Sequence, residues 1–151
     1  MNTKGFTLLE MLIALAIAVV VLMLGVNTFS STLNYQSVDK DADVGLSYIQ
    51  KARTLTINSS NNTSYGITFS TTSITIFPGT SYTPSAQNIV YNLNERIRIS
   101  SVSLSNASTS FYFNRITGDA SATGTITFSL ISDASSSKQI IIYGTGLAEV
   151  K

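Results

Sequence analysis

The 151-residue chain has no cysteine, no histidine and no tryptophan, and only two prolines. Without cysteine or histidine there is no Ser/His/Asp or Cys/His nucleophilic centre, no thiolate or imidazole zinc cage, no haem attachment and no redox pair. No disulfide can staple the fold. Charge is also scarce: nine Lys and Arg stand against eight Asp and Glu, 11% of the chain. No field of one sign therefore draws the whole molecule to nucleic acid, and partners must be recognised locally.

Apolar residues are plentiful, at 44%, and they are concentrated at the start. From Met11 to Val26 no side chain is charged or strongly polar. Extended back to Phe6, the run has about 21 residues, interrupted by Thr7 and Glu10, and as a helix would measure roughly 30 Å, the thickness of a bilayer's hydrocarbon core. Leu, Ala, Met and Ile dominate and proline is absent, so the segment reads as a membrane-spanning helix. A cleaved secretory signal is the competing reading. Its A-x-A candidates, Ala14-Leu15-Ala16 and Ala16-Ile17-Ala18, lie inside the apolar run. Val19 to Leu24 follow where signal peptidase needs a polar, extended stretch, so the segment is expected to be retained. Lys4 before it and the polar bulk after it place the N-terminus in the cytoplasm by the positive-inside rule.

Past Asn27 the chain turns polar but keeps helical spacing in Val26, Phe29, Leu33, Leu46, Ile49 and Ala52, which predicts a helix to about Thr56. Its second half is amphipathic, with Leu46, Ile49 and Ala52 facing whatever follows. Asn58 to Ser64 reads as a loop. Beyond it the period changes to two. Tyr65, Ile67 and Phe69; Ile74 and Ile76; Ile97 and Ile99; Phe111 and Phe113; Ile126, Phe128 and Leu130; Ile140 and Ile142 alternate with polar residues, predicting strands with one buried face. Short connections at Thr71-Thr72 and at Asp133 to Ser137 predict antiparallel hairpins. Val102 and Leu104 fall out of phase with Ile97 and Ile99, which predicts a bulge near Ser100 and Ser101. The expected fold is α+β: a long N-terminal helix packed on an antiparallel sheet or β-sandwich head.

Lys4-Gly5-Phe6-Thr7-Leu8-Leu9-Glu10, placed directly before the apolar run, resembles the processing site of type IV prepilins and type II secretion pseudopilins. The resemblance implies that a membrane prepilin peptidase cuts after Gly5 and methylates Phe6, and that Glu10 is required for assembly. The residues themselves fit that role. A short basic leader ending in glycine offers an unhindered scissile bond. Glu10 then lies in the hydrocarbon zone, where an unpaired carboxylate costs about 2.5 to 3.5 kcal/mol on insertion scales. Taken alone, Glu10 would snorkel to the headgroups. Beside Gly5 and Phe6, the sharper reading is pairing with a neighbouring subunit's N-terminal amine, which would set the stagger of a heterologous helical assembly.

Two departures from major pilins stand out: Asn27 occupies the region where many carry a proline, with Gly25 as a weaker breaker, and no C-terminal disulfide loop is possible. Both favour a minor pilin or pseudopilin. Ala52-Arg53, Phe113-Asn114-Arg115-Ile116-Thr117-Gly118 and the closing Gln139 to Leu147 are similar to the β-rich heads of the pseudopilin H and minor pilin T group.

Other patterns read more plainly. Asp39, Asp41 and Asp43 begin like a calcium loop but lack the required Gly and Glu, having Val44 and Gln50 there, so a solvated stalk surface is expected. Arg96, Arg98 and Arg115 are candidates for a basic strip on DNA, against outward arginines on an edge. The sequons at Asn58, Asn61, Asn62 and Asn106 indicate surface loops. Gly118-Asp119 reads as a turn, and the strand aromatics as ordinary β formers rather than a carbohydrate platform.

The resulting expectation is a cleaved leader (1–5), a transmembrane and assembly helix (6–26), an amphipathic helix (27–57) and a β-rich head (58–151). Expected partners are the prepilin peptidase, other pilin or pseudopilin subunits, the inner-membrane assembly platform and, before assembly, the lipid bilayer. Expected location is the inner membrane, then an extracytoplasmic filament. No cofactor or metal is expected. An enzyme is disfavoured because Glu95, Asp119, Asp133 and Glu149 form no recognisable pair. The alternative is a tip minor pilin that binds DNA or a surface ligand.

Overall fold

The computed structural model describes residues 5, 7–58 and 62–151, with side chains for all of these except 24–35. The leader residues before Gly5, Phe6, Asn61 and the side chains of Val26, Asn27, Phe29 and Leu33 therefore lie outside the described residues. Helix α1 runs Leu8–Ile57, one residue past the expected Thr56. The chain divides into two compact units, Met1–Asn34 and Tyr35–Lys151, and α1 contributes to both.

In the first unit the described side chains from Leu8 to Met23 are exposed, apolar residues such as Leu8, Met11, Leu15 and Leu22 being more than half so. Among the described residues no helix is long and apolar enough to cross a membrane. The expected span Phe6–Val26 begins and ends on residues whose side chains are not described, so the span belongs to the proposal below.

In the second unit α1 presents a stripe spaced four, three, four, three and four residues apart: Val38, Ala42, Gly45, Ile49, Ala52 and Thr56, all buried. That is one face of a helix, and its small members bring the backbone close to its neighbours. A Cβ on Gly45 would stand 2.9 Å from the Phe128 ring, 3.1 Å from Ile140 and 3.3 Å from Ile74. Leu46, expected in the stripe, is only half-buried at its margin.

Among the described residues eight strands follow: β1 (Tyr65–Phe69), β2 (Ser73–Pro78), β3 (Ile89–Asn92), β4 (Ile97–Leu104), β5 (Ser110–Tyr112), β6 (Gly124–Leu130), β7 (Ser137–Ile142) and β8 (Ala148–Val150). They form two four-stranded sheets, ordered β3-β2-β1-β5 and β4-β6-β7-β8, and every pairing is antiparallel. Gly45 meets Ile74 of one sheet and Phe128 and Ile140 of the other, so α1 packs on both. The period-two residues named above are all buried and belong to one core. The bulge lies where the spacing placed it: Ile99 pairs with Phe128 and Ser101 with Thr127, which leaves Ser100 over.

Two expectations are corrected. Strand β1 is buried on both faces, because Gly66 leaves room for the Phe77 ring, whose atoms would lie 2.3 Å from a Cβ there. Tyr82 packs edge-on against Phe77 at 5.5 Å and covers that side of the sheet. Asp41, read as part of a solvated stalk surface, is only 2% exposed. It accepts hydrogen bonds from the Tyr91 hydroxyl and the Asn94 backbone N–H, both at 2.8 Å. A buried carboxylate needs such donors, and here they tie α1 to β3 and to the turn before β4.

Candidate processing and assembly site

Gly5 is exposed, and a Cβ built on it would meet nothing within 4 Å. Thr7 is the N-cap of α1: its hydroxyl accepts from the Glu10 backbone N–H at 3.3 Å, and its carbonyl accepts from Met11 N–H at 3.2 Å. Thr7-Leu8-Leu9-Glu10 has the order of a capping box, a signal legible in the sequence that the strand and span reading passed over. The cap fixes where the helix begins, two residues beyond the Gly5–Phe6 bond.

Glu10 sits in the first turn, where a carboxylate complements the helix dipole. It borders a shallow groove along α1 with Thr7, Leu9, Ile13, Ala14 and Ile17. Apart from Thr7 and Glu10 that surface is aliphatic.

In the head, the three segments Ala52-Arg53, Phe113 to Gly118 and Gln139 to Leu147 meet at one guanidinium. Arg53 Nε donates to the Gly118 carbonyl at 3.0 Å and Nη2 to the Thr145 carbonyl at 3.3 Å. Gly118 and Gly146 take φ of +71 and +76°, and a Cβ on Gly146 would fall 1.9 Å from the Gly118 carbonyl oxygen. Only glycine allows the two turns to approach this closely around the arginine. Gly118-Asp119 is the turn expected. Beside Arg53 lies a groove lined by Gln50, Thr54, Gly146, Leu147 and Ala148.

The three other arginines do not form one strip. Arg96 and Arg98 lie on or beside β4, at the edge of its sheet, whereas Arg115 is in the loop after β5 and donates to Asn62 near the end of α1. Asn58, Asn62 and Asn106 are exposed. Asp39 makes an ion pair with Lys138 at 3.5 Å. Among the described residues no group of three or more acidic side chains gathers as a metal site.

Among the described residues three side chains are shifted from their ordinary values. Tyr91 is pushed up to about 12, first by burial and then by its bond to Asp41. Tyr143 is raised, chiefly by donating to the Glu149 carboxylate. Asp133, bonded by the Ser135 and Ser136 hydroxyls, is lowered. All three are bonded within the head.

The prokaryotic N-terminal methylation motif family matches residues 1–26, the segment that holds Gly5, Thr7, Glu10 and the apolar start of α1. No curated protein matches the chain, and no solved structure does. The match covers that motif alone, and the motif is one that supports a type IV pilin-like family.

Proposed function

We propose that the chain is a prepilin-type subunit. The prepilin peptidase cuts it after Gly5 and methylates Phe6; residues 6–26 anchor it in the inner membrane and residues 27–57 continue as an amphipathic helix. The head, 58–151, lies outside. The subunit then enters a type IV pilus or type II secretion pseudopilus through its N-terminal helix, as a minor pilin or pseudopilin of the H and T group.

The observation that carries this reading is the order open glycine, capped helix start, first-turn Glu10 and aliphatic cylinder, within residues matched by the methylation motif. Cutting after Gly5 creates an amine at the positive end of the helix dipole, which is unfavourable by about 0.3 to 1 kcal/mol at an exposed site. Methylation leaves the amine basic. Glu10 of a neighbouring subunit offers that amine an anion, and the amine offers Glu10 the cation it needs in an apolar surrounding. One pair per subunit, repeated, sets a stagger between subunits.

Glu10→Ala tests the pairing. The variant is expected to insert in the membrane and be processed at Gly5 but to be missing from sheared filaments or from the pseudopilus fraction. Incorporation at the wild-type level would contradict the pairing.

A further inference from the structure

We propose that the outer face of the β4-β6-β7-β8 sheet binds an acidic sugar, Arg98 taking its carboxylate and the polar side chains beside Arg98 its hydroxyls. The inference goes beyond the filament-subunit reading and does not depend on it, because it uses head residues alone.

Strand alternation sets the face. Ile97, Ile99, Phe128, Leu130 and Ile140 lie in the core, so Arg98, Ser129 and Gln139, which alternate with them, stand on the other side of the sheet. Register then brings polar residues into line. Arg98 is opposite Ser129, and Ser129 is opposite Ser137. The three form one row across β4, β6 and β7, with neighbours about 4.8 Å apart. Ser101, Thr127 and Gln139 form the next row in the same way.

The first row carries an anomaly. Ser129 is 1% exposed, and neither its Oγ nor the Arg98 Nε has a hydrogen-bond partner although both atoms are buried. Buried polar groups in a folded protein are as a rule satisfied, so two orphans on facing residues mark a place where an acceptor belongs. No other side-chain bond or ion pair holds Arg98 among the described residues. Its guanidinium is therefore at liberty to turn two parallel N–H groups toward a carboxylate, the anion whose shape matches that fork. The Ser129 hydroxyl adds a third donor.

The surroundings select the kind of anion. Across the two rows Arg98 is the only charged side chain, so the face lacks the several cations that a nucleic-acid backbone needs. It also lacks the large apolar side chains that form the core of a protein interface. It offers hydroxyls and an amide instead. Ser137 and Gln139 are exposed and their side chains have no partner among the described residues. The Thr127 hydroxyl accepts from Ser101 at 3.0 Å and keeps its own proton to donate. The complement of such a face is one carboxylate surrounded by hydroxyls, which is the make-up of a uronic acid.

The probe is trigalacturonate, titrated into the isotope-labelled full-length chain in a polyoxyethylene detergent and followed by NMR at the arginine Nε–H and backbone N–H signals. Saturable shifts are expected at Arg98 Nε–H and at the Ser129, Ser137 and Gln139 amides. Arg98→Gln should weaken binding by about tenfold or more, Ser129→Ala by a smaller factor, and Lys40→Gln, which removes the same charge from an exposed lysine on α1, not at all. Signals away from the face report whether each variant keeps its fold, and Ser129→Ala carries the test if Arg98→Gln does not. The methyl ester of the same trisaccharide, which keeps the ring hydroxyls and loses the charge, should not bind. No saturable shift, an ester that binds as tightly as the acid, or binding unchanged in the folded variants would each overturn the site. Inorganic phosphate binding as tightly as trigalacturonate would reduce Arg98 to a plain anion contact and overturn the sugar assignment, and tighter binding of a short single-stranded DNA would overturn it in favour of nucleic acid.

Discussion

Asp41 shows how much one side chain in the helix decides. Its two carboxylate oxygens satisfy the Tyr91 hydroxyl of β3 and the Asn94 backbone N–H of the turn before β4. Asp41→Ala removes the partner of both donors in a part-buried place, and should lower the unfolding free energy by about 1 kcal/mol, read by urea denaturation of the detergent-solubilised chain. Tyr91 gives an independent readout. Its pKa in the fold is about 12 against an ordinary 10.0, so the associated stability is whole below pH 10 and is lost as pH rises through about 12. In Asp41→Asn the late phenolate absorbance step should move to lower pH yet stay above 10, because burial is the larger cause. A step that does not move would show that the bond has no hold on Tyr91. Gly146→Ala and Gly79→Ala separate strain from collision. Both glycines have positive φ, but Gly79 opens on free space while Gly146 faces the Gly118 carbonyl. Gly79→Ala should cost about 1 kcal/mol through φ alone, and Gly146→Ala distinctly more, compared by thermal melting.

At the scale of elements, the strand residues were legible because most buried Ile and Phe residues alternate with a Ser, Thr or Arg, Gly66, Tyr112 and Ile141 being the exceptions. The 97–104 phase slip was legible for the same reason, and the structure places the bulge there. Strands β3 and β8, four and three residues long, escaped because Ile89–Asn92 and Ala148–Val150 are too short to show a period. The helix stripe was half legible. Ile49 and Ala52 announced it, but Ala42, Gly45 and Thr56 are small or polar and carry little hydrophobic signal, although Thr56 accepts from Tyr65 N–H at 2.8 Å. Asp41 was misread for a related reason: nothing in its neighbours in sequence says that Tyr91 and Asn94 will reach it. The Arg53 clasp joins residues 65 and 92 positions apart, a separation that no local pattern reports. The close helix approach yields its own prediction. Gly45→Leu pushes a branched side chain against Phe128, Ile140 and Ile74 and should destabilise the head by about 1 to 3 kcal/mol through overpacking. A variant that melts with the wild type would show that α1 does not depend on this contact.

The whole molecule carries a head with its own core and an N-terminal segment whose aliphatic surface is exposed in the single chain. Exposed apolar surface of that extent marks an interaction with lipid or with other chains, and the methylation motif over residues 1–26 favours first the one and then the other. The central claim is the cut after Gly5. The most direct measurement is intact mass and N-terminal analysis of the protein from membranes of strains with and without the prepilin peptidase. The account predicts a chain beginning at methylated Phe6 only when the peptidase is present. A chain beginning at Met1 in both strains, or one cut after Ala16 or Ala18, would contradict it.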